Sequence, residues 1–319
     1  MQGPAPLIAT PEAPVPAGGA AEWFTGAGGA RLRAALFPAV GESRGSVVLS
    51  GGRTEPIEKY FEVIGELTGR GFGVLAHDWR GQGLSYRAFP DRLKGHADGY
   101  RDFVDDYHAL LAAFEERLPG PWIAMGHSMG GCLTLLALAH GEAARFAGAM
   151  LSAPMLGLQT APAPVAAARF LATFNRRIGR GGAFVGANPG KPFDDAFEGN
   201  ILTHDPARFA RHRAQVAACP DLALGAPTWS WLEFAFRAGA WLARPSNLKG
   251  VALPLTLCSA EQDRLVDNAA QRHAVASLPN ARFVNVPGAF HEILMETDDK
   301  RAVFWAEFDA LADKVAPRG

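Results

Sequence analysis

The stretch WIAMGHSMGG, residues 122–131, joins a short apolar run to a serine that has a glycine two positions before it and another two positions after it. The run WIAMGH is typical of a buried strand, and the apolar CLTLLALAHGEAARF that follows (132–146) is typical of a buried helix. The stretch therefore predicts a strand, a tight turn at Ser128 and a helix. A glycine-flanked serine can also be only part of a tight turn, so the rest of the chain is needed to tell whether Ser128 has a function.

Such a turn suits a nucleophile. A strand-to-helix turn this tight forces Ser128 into a strained backbone conformation, and Gly126 and Gly130 keep side chains out of the crowded space around it. The hydroxyl then projects above the carboxyl edge of the sheet, where the first turn of the helix presents free N–H groups and a partial positive charge. We expect Ser128 to be a catalytic nucleophile.

The remaining chain alternates strand and helix patterns. Strand-like runs lie at 46–50, 72–78, 122–127, 147–154, 253–260 and 281–288, and helical patterns lie at 58–71, 100–118 and 301–315. Strand and helix in alternation predict an α/β fold, with a mostly parallel central sheet covered by helices on both faces.

The alternation is interrupted between about residues 156 and 245, where no strand-like run occurs and the sequence is first Pro-rich, then Gly-rich, then aromatic. We expect a helical cap, or lid, over 156–245, inserted into a core formed by 21–155 and 246–319. The Pro- and Ala-rich residues 1–20 are expected to be a flexible tail, because they cannot bury enough surface to offset their ordering entropy.

A nucleophilic serine needs a base to take its proton and an acid to orient that base. Asp263 follows the strand pattern LPLTLCSA, and His291 follows ARFVNVPG, so both are expected at the same sheet edge as Ser128. Glu261 and Asp267 are the alternative carboxylates. No other histidine competes with His291, since His273 falls inside a helical pattern.

The oxyanion of an acyl-transfer reaction needs two N–H donors. The residue after the nucleophile, Met129, is the first expected donor, and the loop after SVVLS supplies the second. We expect this second donor to be Gly52, with Arg53 as the alternative. The glycine pair can also be a simple turn without a role in catalysis.

Aromatic residues of the insertion are candidates for contact with substrate. The segment TWSWLEFAF (228–236) contains Trp229, Trp231 and Phe234, which could line an alkyl-chain site or form the core of the insertion. Arg176, Arg177 and Arg180 in FNRRIGRGG are interpreted first as a solvated face, with a phosphate or an anionic membrane surface as the alternative.

Composition narrows the function classes. The 319 residues are 48% hydrophobic and carry a formal net charge of -1 without blocks of like charge, so nucleic acid is not an expected partner. Three widely spaced cysteines favour a reducing compartment over a disulfide framework or metal site. No signal peptide or membrane span of ~18 apolar residues is found, which predicts a cytoplasmic protein, with the segment APAPVAAARFLATF (161–174) as a candidate for peripheral contact with the inner membrane face.

Four stretches resemble the lysophospholipase and monoacylglycerol lipase group of α/β-hydrolases: SGGRTEPIEKYFEVIGELTGRGFGVLAHDWRGQGLS (50–85), GHSMGG (126–131), SAEQDRLVD (259–267) and PGAFHEILMETDDKR (287–301). The resemblance implies the α/β-hydrolase fold and a serine hydrolase with Ser128 as nucleophile, Asp263 as acid, His291 as base and a lid over the acyl site. Its expected substrate is a single-chain lipid ester, and no metal or organic cofactor is needed. The chain departs from many members at Ser50-Gly51, where they carry His-Gly.

Other functions of the same fold stay open at this point. They are a non-lipid carboxylesterase, an acyltransferase, a peptidase that uses acids of the insertion such as Asp194, Asp195 and Glu198, and a binding protein without activity. All three triad positions are present, which favours an enzyme.

Overall fold

The computed structural model describes residues 3–187, 189–190, 192–193 and 196–318. A nine-stranded sheet with the order β1-β2-β3-β5-β4-β6-β7-β8-β9 runs through these residues. The strands are β1 (Pro4–Ala5), β2 (Ala20–Thr25), β3 (Arg31–Phe37), β4 (Gly45–Ser50), β5 (Phe72–His77), β6 (Trp122–His127), β7 (Gly148–Ser152), β8 (Leu255–Ala260) and β9 (Ala281–Val286). Strands β4 to β9 are parallel to one another, whereas β1, β2 and β3 pair antiparallel.

Nine α-helices accompany the sheet in the described part of the chain. They are α1 (Phe61–Gly69), α2 (Arg101–Phe114), α3 (Ser128–Ala139), α4 (Val165–Arg177), α5 (Pro206–Ala218), α6 (Trp229–Leu242), α7 (Pro245–Leu248), α8 (Asn268–Ser277) and α9 (Asp298–Val315). Within these residues, no helix combines the length and the apolar content needed to cross a bilayer.

Two apolar layers cover the faces of the sheet. Successive strand residues point to opposite faces, so Val47 and Leu49 of β4 pack with α1 and α9, whereas Val48 packs with α2 and α3. Strands β4 to β8 are buried along their whole length, which is why they read as continuous apolar runs in the sequence. The predicted α/β architecture is confirmed, and all six predicted strands are present.

The amino-terminal part of the sheet differs from the expectation. The sequence predicted no strand before residue 46, but β1 to β3 add an antiparallel edge. The pattern RLRAALF of β3 contains Arg33, whose guanidinium is fully buried between the carboxylates of Glu58 and Asp78, at 2.7 Å from each. A charge at a buried strand position hides the strand from any reading based on apolar periodicity.

The expected flexible tail also differs from the structure. Residues 3–19 lie against the sheet edge: Arg33 donates to Pro6 O at 3.0 Å, and the Ile8 N–H donates to Glu58 Oε1 at 3.2 Å. Leu7 and Val15 pack against the buried apolar layer. Backbone groups and two apolar side chains find partners here, which composition alone does not reveal. Met1 and Gln2 lie outside the described residues.

The insertion (residues 156–245) follows β7 and precedes β8. It carries α4, α5 and α6, and α7 leads from it back to the sheet. Helix α4 packs on α6, and α6 packs on α3, which begins at Ser128. The insertion therefore lies next to the turn that the sequence singled out.

Candidate active site

Ser128 occupies a strained turn between β6 and α3. Its φ angle is 50°, in the left-handed region that L-residues other than glycine rarely adopt. A Cβ atom at Gly126 would lie 2.7 Å from the Cα of Gly131, and one at Gly130 would overlap the carbonyl oxygens of Ser50 and Gly51. Both glycines are thus required by close backbone approach, as the sequence predicted.

Backbone strain recurs around this turn. Among the described residues other than glycine, only Thr54, Ser128 and Ala153 have positive φ, at 64°, 50° and 40°. They follow β4, β6 and β7, three neighbouring parallel strands, so all three lie at the carboxyl edge of the sheet. Such clustering of strain is typical of functional sites.

Asp263 and His291 meet Ser128 at this edge. Asp263 lies three residues after the end of β8, and His291 lies five residues after the end of β9. His291 Nε2 is 2.8 Å from Ser128 Oγ, and His291 Nδ1 is 2.6 Å from Asp263 Oδ2. Serine, imidazole and carboxylate thus form one continuous hydrogen-bonded chain.

The carboxylate of Asp263 is held in its charged form. Burial raises the pKa of this carboxylate. The hydrogen bond and charge of His291, together with the N–H groups of Val266 and Leu265, lower the pKa by more than burial raises it, so the net shift is downward. Those N–H groups donate to Oδ1 at 3.0 and 2.8 Å, which leaves Oδ2 for the imidazole.

The alternatives from the sequence have other partners. Glu261 accepts the N–H of Gly288 at the surface, and Asp267 caps α8 through the N–H of Ala269. His273 is exposed and lies 3.0 Å from the Ala243 carbonyl. None of the three contacts Ser128 or His291.

The expected oxyanion donors have different surroundings. Met129 is in the first turn of α3, where its N–H has no partner in the helix. The Gly52 N–H, however, donates to Glu55 Oε2 at 2.5 Å, so it is already occupied. The Arg53 N–H has no hydrogen-bond acceptor among the described residues. The expectation for Gly52 is therefore not met in this conformation, because a carboxylate fills the place of the acceptor.

A buried ionic network lies beneath this loop, which the sequence analysis missed. Lys59 Nζ contacts Glu55 Oε1 at 2.9 Å and Glu292 Oε1 at 2.5 Å, and Tyr60 donates to Glu55 Oε2 at 2.6 Å. Burial works against the charge of Lys59, but the two carboxylates raise its pKa overall. The stretch EPIEKY (55–60) mixes charged and apolar residues in the way that the exposed start of a helix does. It therefore did not indicate that these charges are buried.

His127 borders the same network. Its Nδ1 lies 3.1 Å from the Ser152 carbonyl, and its ring centroid is 4.9 Å from that of His291. Burial, the main cause, lowers the pKa of His127 to about 4. A neutral His127 therefore packs beside His291.

A pocket of about 430 Å³ opens onto Ser128 and His291. Its apolar walls are Met155, Leu158, Leu202, Pro227, Trp231, Leu265 and Val266, and its polar walls include Arg53, Thr54, Glu55 and Gln159. Residues of the insertion and of the sheet edge therefore enclose it together.

Of the three predicted aromatic contacts, only Trp231 lines this pocket. Phe234 is completely buried and stacks on Phe103 at 5.2 Å, so it belongs to the core between α6 and α2. Trp229 is half-buried and is not part of the pocket wall. Trp229 points to the other side of α6 from Trp231, whereas Phe234 lies on nearly the same side as Trp231 but is covered by Phe103.

The other candidates lie away from the pocket. Arg177 and Arg180 are exposed at the end of α4, and Arg176 lies 3.8 Å from Glu233. Glu198 is exposed, and Asp194 and Asp195 lie outside the described residues. In the described part of the chain, no three His, Cys, Asp or Glu side chains form a group that could hold a metal ion.

Comparison with known proteins places this geometry in context. Residues 41–298 match the profile of the Hydrolase_4 family, described as "Serine aminopeptidase, S33". The chain is 34% identical over 294 residues to lysophospholipase L2 of Escherichia coli K12, covering 88% of this chain and 83% of that protein.

Two solved structures are similar in fold. A soluble variant of monoglyceride lipase from Saccharomyces cerevisiae, in complex with a substrate analogue, superposes with a TM-score of 0.72 at 20% identity, covering 92% of this chain and 95% of that one. A thermostable carboxyl esterase from Bacillus coagulans, in complex with glycerol, superposes with a TM-score of 0.74 at 18% identity, covering 93% and 99%.

Proposed function

Because the chain belongs to the Hydrolase_4 (serine aminopeptidase S33) family of α/β-hydrolases, we propose that it hydrolyses the carboxylic ester of a single-chain lipid, a lysophospholipid or monoacylglycerol, through an acyl-enzyme. The observation that carries this proposal is the hydrogen-bonded chain Ser128–His291–Asp263 at the floor of a largely apolar pocket. The similarity of this chain to lysophospholipase L2 over most of both chains supports the proposal of a lipid substrate.

The proposed acylation step starts at Ser128. His291 Nε2 takes the proton of the Ser128 hydroxyl, and Oγ attacks the ester carbonyl. Asp263 holds Nδ1–H and so fixes the tautomer in which Nε2 is the acceptor. His291 then gives the proton to the leaving alcohol, and a water activated by the same nitrogen releases the fatty acid from Ser128.

The developing oxyanion is proposed to rest on the N–H of Met129 and on one N–H of the loop after β4. The free N–H of Arg53 supports this residue as the second donor, and Gly52 becomes available only if Glu55 moves. Two preorganised donors of this kind typically account for several kcal/mol of transition-state stabilisation.

The insertion is proposed to act as the cap over the acyl site, with the core formed by 21–155 and 246–319. Leu158, Leu202, Pro227 and Trp231 of the insertion line the pocket opposite Leu265 and Val266 of the core. An apolar wall with few polar groups fits an alkyl chain, and its burial provides about 0.8 kcal/mol per CH₂.

The direct test is release of free fatty acid from lysophospholipids, monoacylglycerols and short p-nitrophenyl esters of matched concentration. The parent and Ser277→Ala, a control on the surface helix α8, should release fatty acid from at least one lipid class, and Ser128→Ala should release none. Activity on short esters alone would leave the mechanism and refute the lipid substrate. Activity that survives in Ser128→Ala would refute both.

We also propose that the protein contacts the inner face of the cytoplasmic membrane through α4. Exposed apolar side chains follow this helix: Val165, Phe170, Leu171, Phe174 and Ile178, with Phe170 67% exposed. Four arginines accompany them: Arg169, Arg176, Arg177 and Arg180. An apolar face flanked by cations fits an anionic bilayer surface, and the three unpaired cysteines support a reducing compartment.

Co-sedimentation with phosphatidylglycerol vesicles tests this surface. The parent and Val40→Ser, which changes an exposed valine outside the insertion, should sediment with the vesicles, and Phe170→Ser/Phe174→Ser should bind at least about tenfold more weakly. If the parent stays in solution, or if the double variant binds equally well, the membrane proposal is wrong.

A further inference from the structure

Arg53 is an arginine of the active-site pocket without a carboxylate partner. It follows the glycine pair after β4, and its side chain lines the pocket together with Ser128 and His291. Within the described residues, no Asp or Glu oxygen lies within 4.0 Å of its guanidinium. Its Nη2 donates to the Gly225 carbonyl, and the guanidinium carbon lies 5.3 Å from the ring centroid of Trp231.

The guanidinium is desolvated but only partly satisfied. Its Nε is buried and has no hydrogen-bond partner in the described part of the chain. Burial lowers the pKa of Arg53 to about 10, with no nearby anion to oppose this shift. The guanidinium nevertheless stays protonated at neutral pH, so the pocket holds a cation that lacks a counter-ion.

Three other arginines with buried guanidinium groups have more partners than Arg53, although the Nε of Arg87 is also without a partner among the described residues. Arg33 contacts Glu58 and Asp78, and Arg301 contacts Glu66. Arg87 also lacks a close carboxylate, but its guanidinium donates to five carbonyl oxygens, those of Gly81, Gly83, Arg92, Asp221 and Ala223. Arg53 differs from all of these because its side chain lines the active-site pocket.

The acids of the pocket do not neutralise Arg53. Glu55 and Glu292 both contact Lys59, at 2.9 and 2.5 Å, and Asp263 is engaged with His291. The remaining polar wall residues, Thr54 and Gln159, carry no charge. A ligand that brings its own anion is therefore the partner that this guanidinium lacks.

We propose that Arg53 binds the phosphodiester of a lysophospholipid head group and so selects lysophospholipids over neutral monoacylglycerols. The proposal rests on the function proposed above and names its substrate class. A guanidinium presents paired N–H donors that match phosphate oxygens. In a lysophospholipid only the glycerol carbons separate the ester oxygen from the phosphoester oxygen, so an ester bound at Ser128 brings the phosphate close to the pocket wall that includes Arg53.

The same cation could instead hold the carboxylate of the released fatty acid, and the experiment separates these two anions. For each variant, kcat/KM is measured on a lysophosphatidylglycerol and on the monoacylglycerol with the same acyl chain, and fatty acid is titrated as an inhibitor. The variants are Arg53→Gln, Arg53→Lys and Arg244→Gln, an exposed arginine of the insertion.

In Arg53→Gln the ratio of kcat/KM for the lysophospholipid to kcat/KM for the monoacylglycerol should fall about ten- to hundredfold, mainly because KM for the lysophospholipid rises. Arg53→Lys should recover part of the ratio, and Arg244→Gln should keep it. Equal losses on both substrates would overturn the proposal, since they would indicate a structural role. A raised inhibition constant for fatty acid with an unchanged ratio would also overturn it, in favour of the carboxylate.

A binding measurement keeps this proposal separate from the catalytic one. An ether-linked lysophospholipid has the phosphodiester but no hydrolysable ester, and an alkylglycerol of the same length lacks the phosphate. Ser128→Ala should bind the ether-linked lysophospholipid more tightly than the alkylglycerol. The double variant Ser128→Ala/Arg53→Gln should bind the two compounds equally well. If the preference persists, Arg53 is not the site, whether or not the parent hydrolyses lipids.

Discussion

At the scale of single residues, Asp263 controls the tautomer of the proposed base. It accepts from His291 through Oδ2 and is itself held by the N–H groups of Leu265 and Val266 through Oδ1. An amide at this position offers its NH₂ to Nδ1, which forces the proton onto Nε2 and removes the acceptor for Ser128. The carboxylate thus matters more through orientation than through its charge alone.

We therefore expect Asp263→Asn to lower kcat for ester hydrolysis by about 10³- to 10⁴-fold. The free energy of unfolding should change little, because the amide oxygen can keep the bonds to Leu265 and Val266. Glu261→Gln is the matched control and should retain the parent's kcat. Steady-state kinetics and urea denaturation check both. Equal kcat values for Asp263→Asn and the parent would rule out the proposed role.

At the scale of elements, the contact between the loop after β4 and the first turn of α3 brings the proposed oxyanion loop to Ser128, the proposed nucleophile. The first turn of α3 approaches the carbonyls of Ser50 and Gly51 so closely that only glycine fits at position 130. A Cβ atom on Gly52 would lie 3.0 Å from the Cβ of Ser128, so the loop and the nucleophile are in van der Waals range.

Gly130→Ala should push this loop away from Ser128. We expect a loss of at least about tenfold in kcat and of about 1–3 kcal/mol in the free energy of unfolding, because the added methyl overpacks this contact. Gly99→Ala is the control, since a Cβ atom there meets no neighbour within 4 Å. A Gly130→Ala enzyme with the parent's kcat would show that the contact does not position the loop.

Strand β3 depends on a buried ion triad. Arg33 lies between Glu58 and Asp78, and all three side chains are fully buried. Removing the cation leaves two buried carboxylates without a counter-charge, which typically costs about 3–5 kcal/mol.

Arg33→Met should therefore lower the free energy of unfolding by about 3–5 kcal/mol in urea denaturation. Arg282→Met removes an exposed cation from its pair with Glu307 at the surface and should cost about 0–1 kcal/mol. Similar losses in the two variants would contradict the account of the triad.

Some structural elements could be predicted from the sequence and others could not. Strands β4 to β8 and the turn at Ser128 followed from apolar runs and glycine spacing, because these strands are buried on both faces. Strand β3 did not, because Arg33 is neutralised by residues 25 and 45 positions away, and no local pattern records such a pairing. The same holds for Lys59, which is paired with Glu292 across most of the chain.

The aromatic helix α6 gives a related limit. Trp231 and Phe234 are three residues apart, and periodicity treats them alike. Trp231 lines the pocket and Phe234 stacks on Phe103, because α6 packs against several elements, among them α4 and α3. Which residues meet a cavity depends on packing between elements, so the hydrogen-bonded chain Ser128–His291–Asp263 was predictable from the sequence, but the pocket lining was only partly so.

At the scale of the whole molecule, stability should depend on pH through buried histidines. Burial lowers the pKa of His77 to about 3 and of His127 to about 4. Both are neutral in the folded protein at pH 5, whereas in the unfolded chain they bind protons near pH 6.5. The unfolded state then holds more protons, so the free energy of unfolding falls as pH is lowered.

We expect this loss between about pH 6.5 and 4, with up to ~1.4 kcal/mol per pH unit from each histidine. His77→Gln can keep a hydrogen bond to Ser50 without titrating and should flatten the slope, whereas His273→Gln, at an exposed site, should not. Urea denaturation at several pH values measures this. A parent protein equally stable at pH 4.5 and 7 would contradict it.

Ser128 is proposed as the nucleophile of a lipid ester hydrolase. The most direct measurement is reaction of the full-length protein with a single-chain alkyl fluorophosphonate, followed by digestion and mass spectrometry of the labelled peptide. We expect one adduct, on Ser128; lysophospholipid should slow its formation by competition, and Ser128→Ala should abolish it. Labelling of another residue, or an unlabelled parent protein, would contradict this proposal.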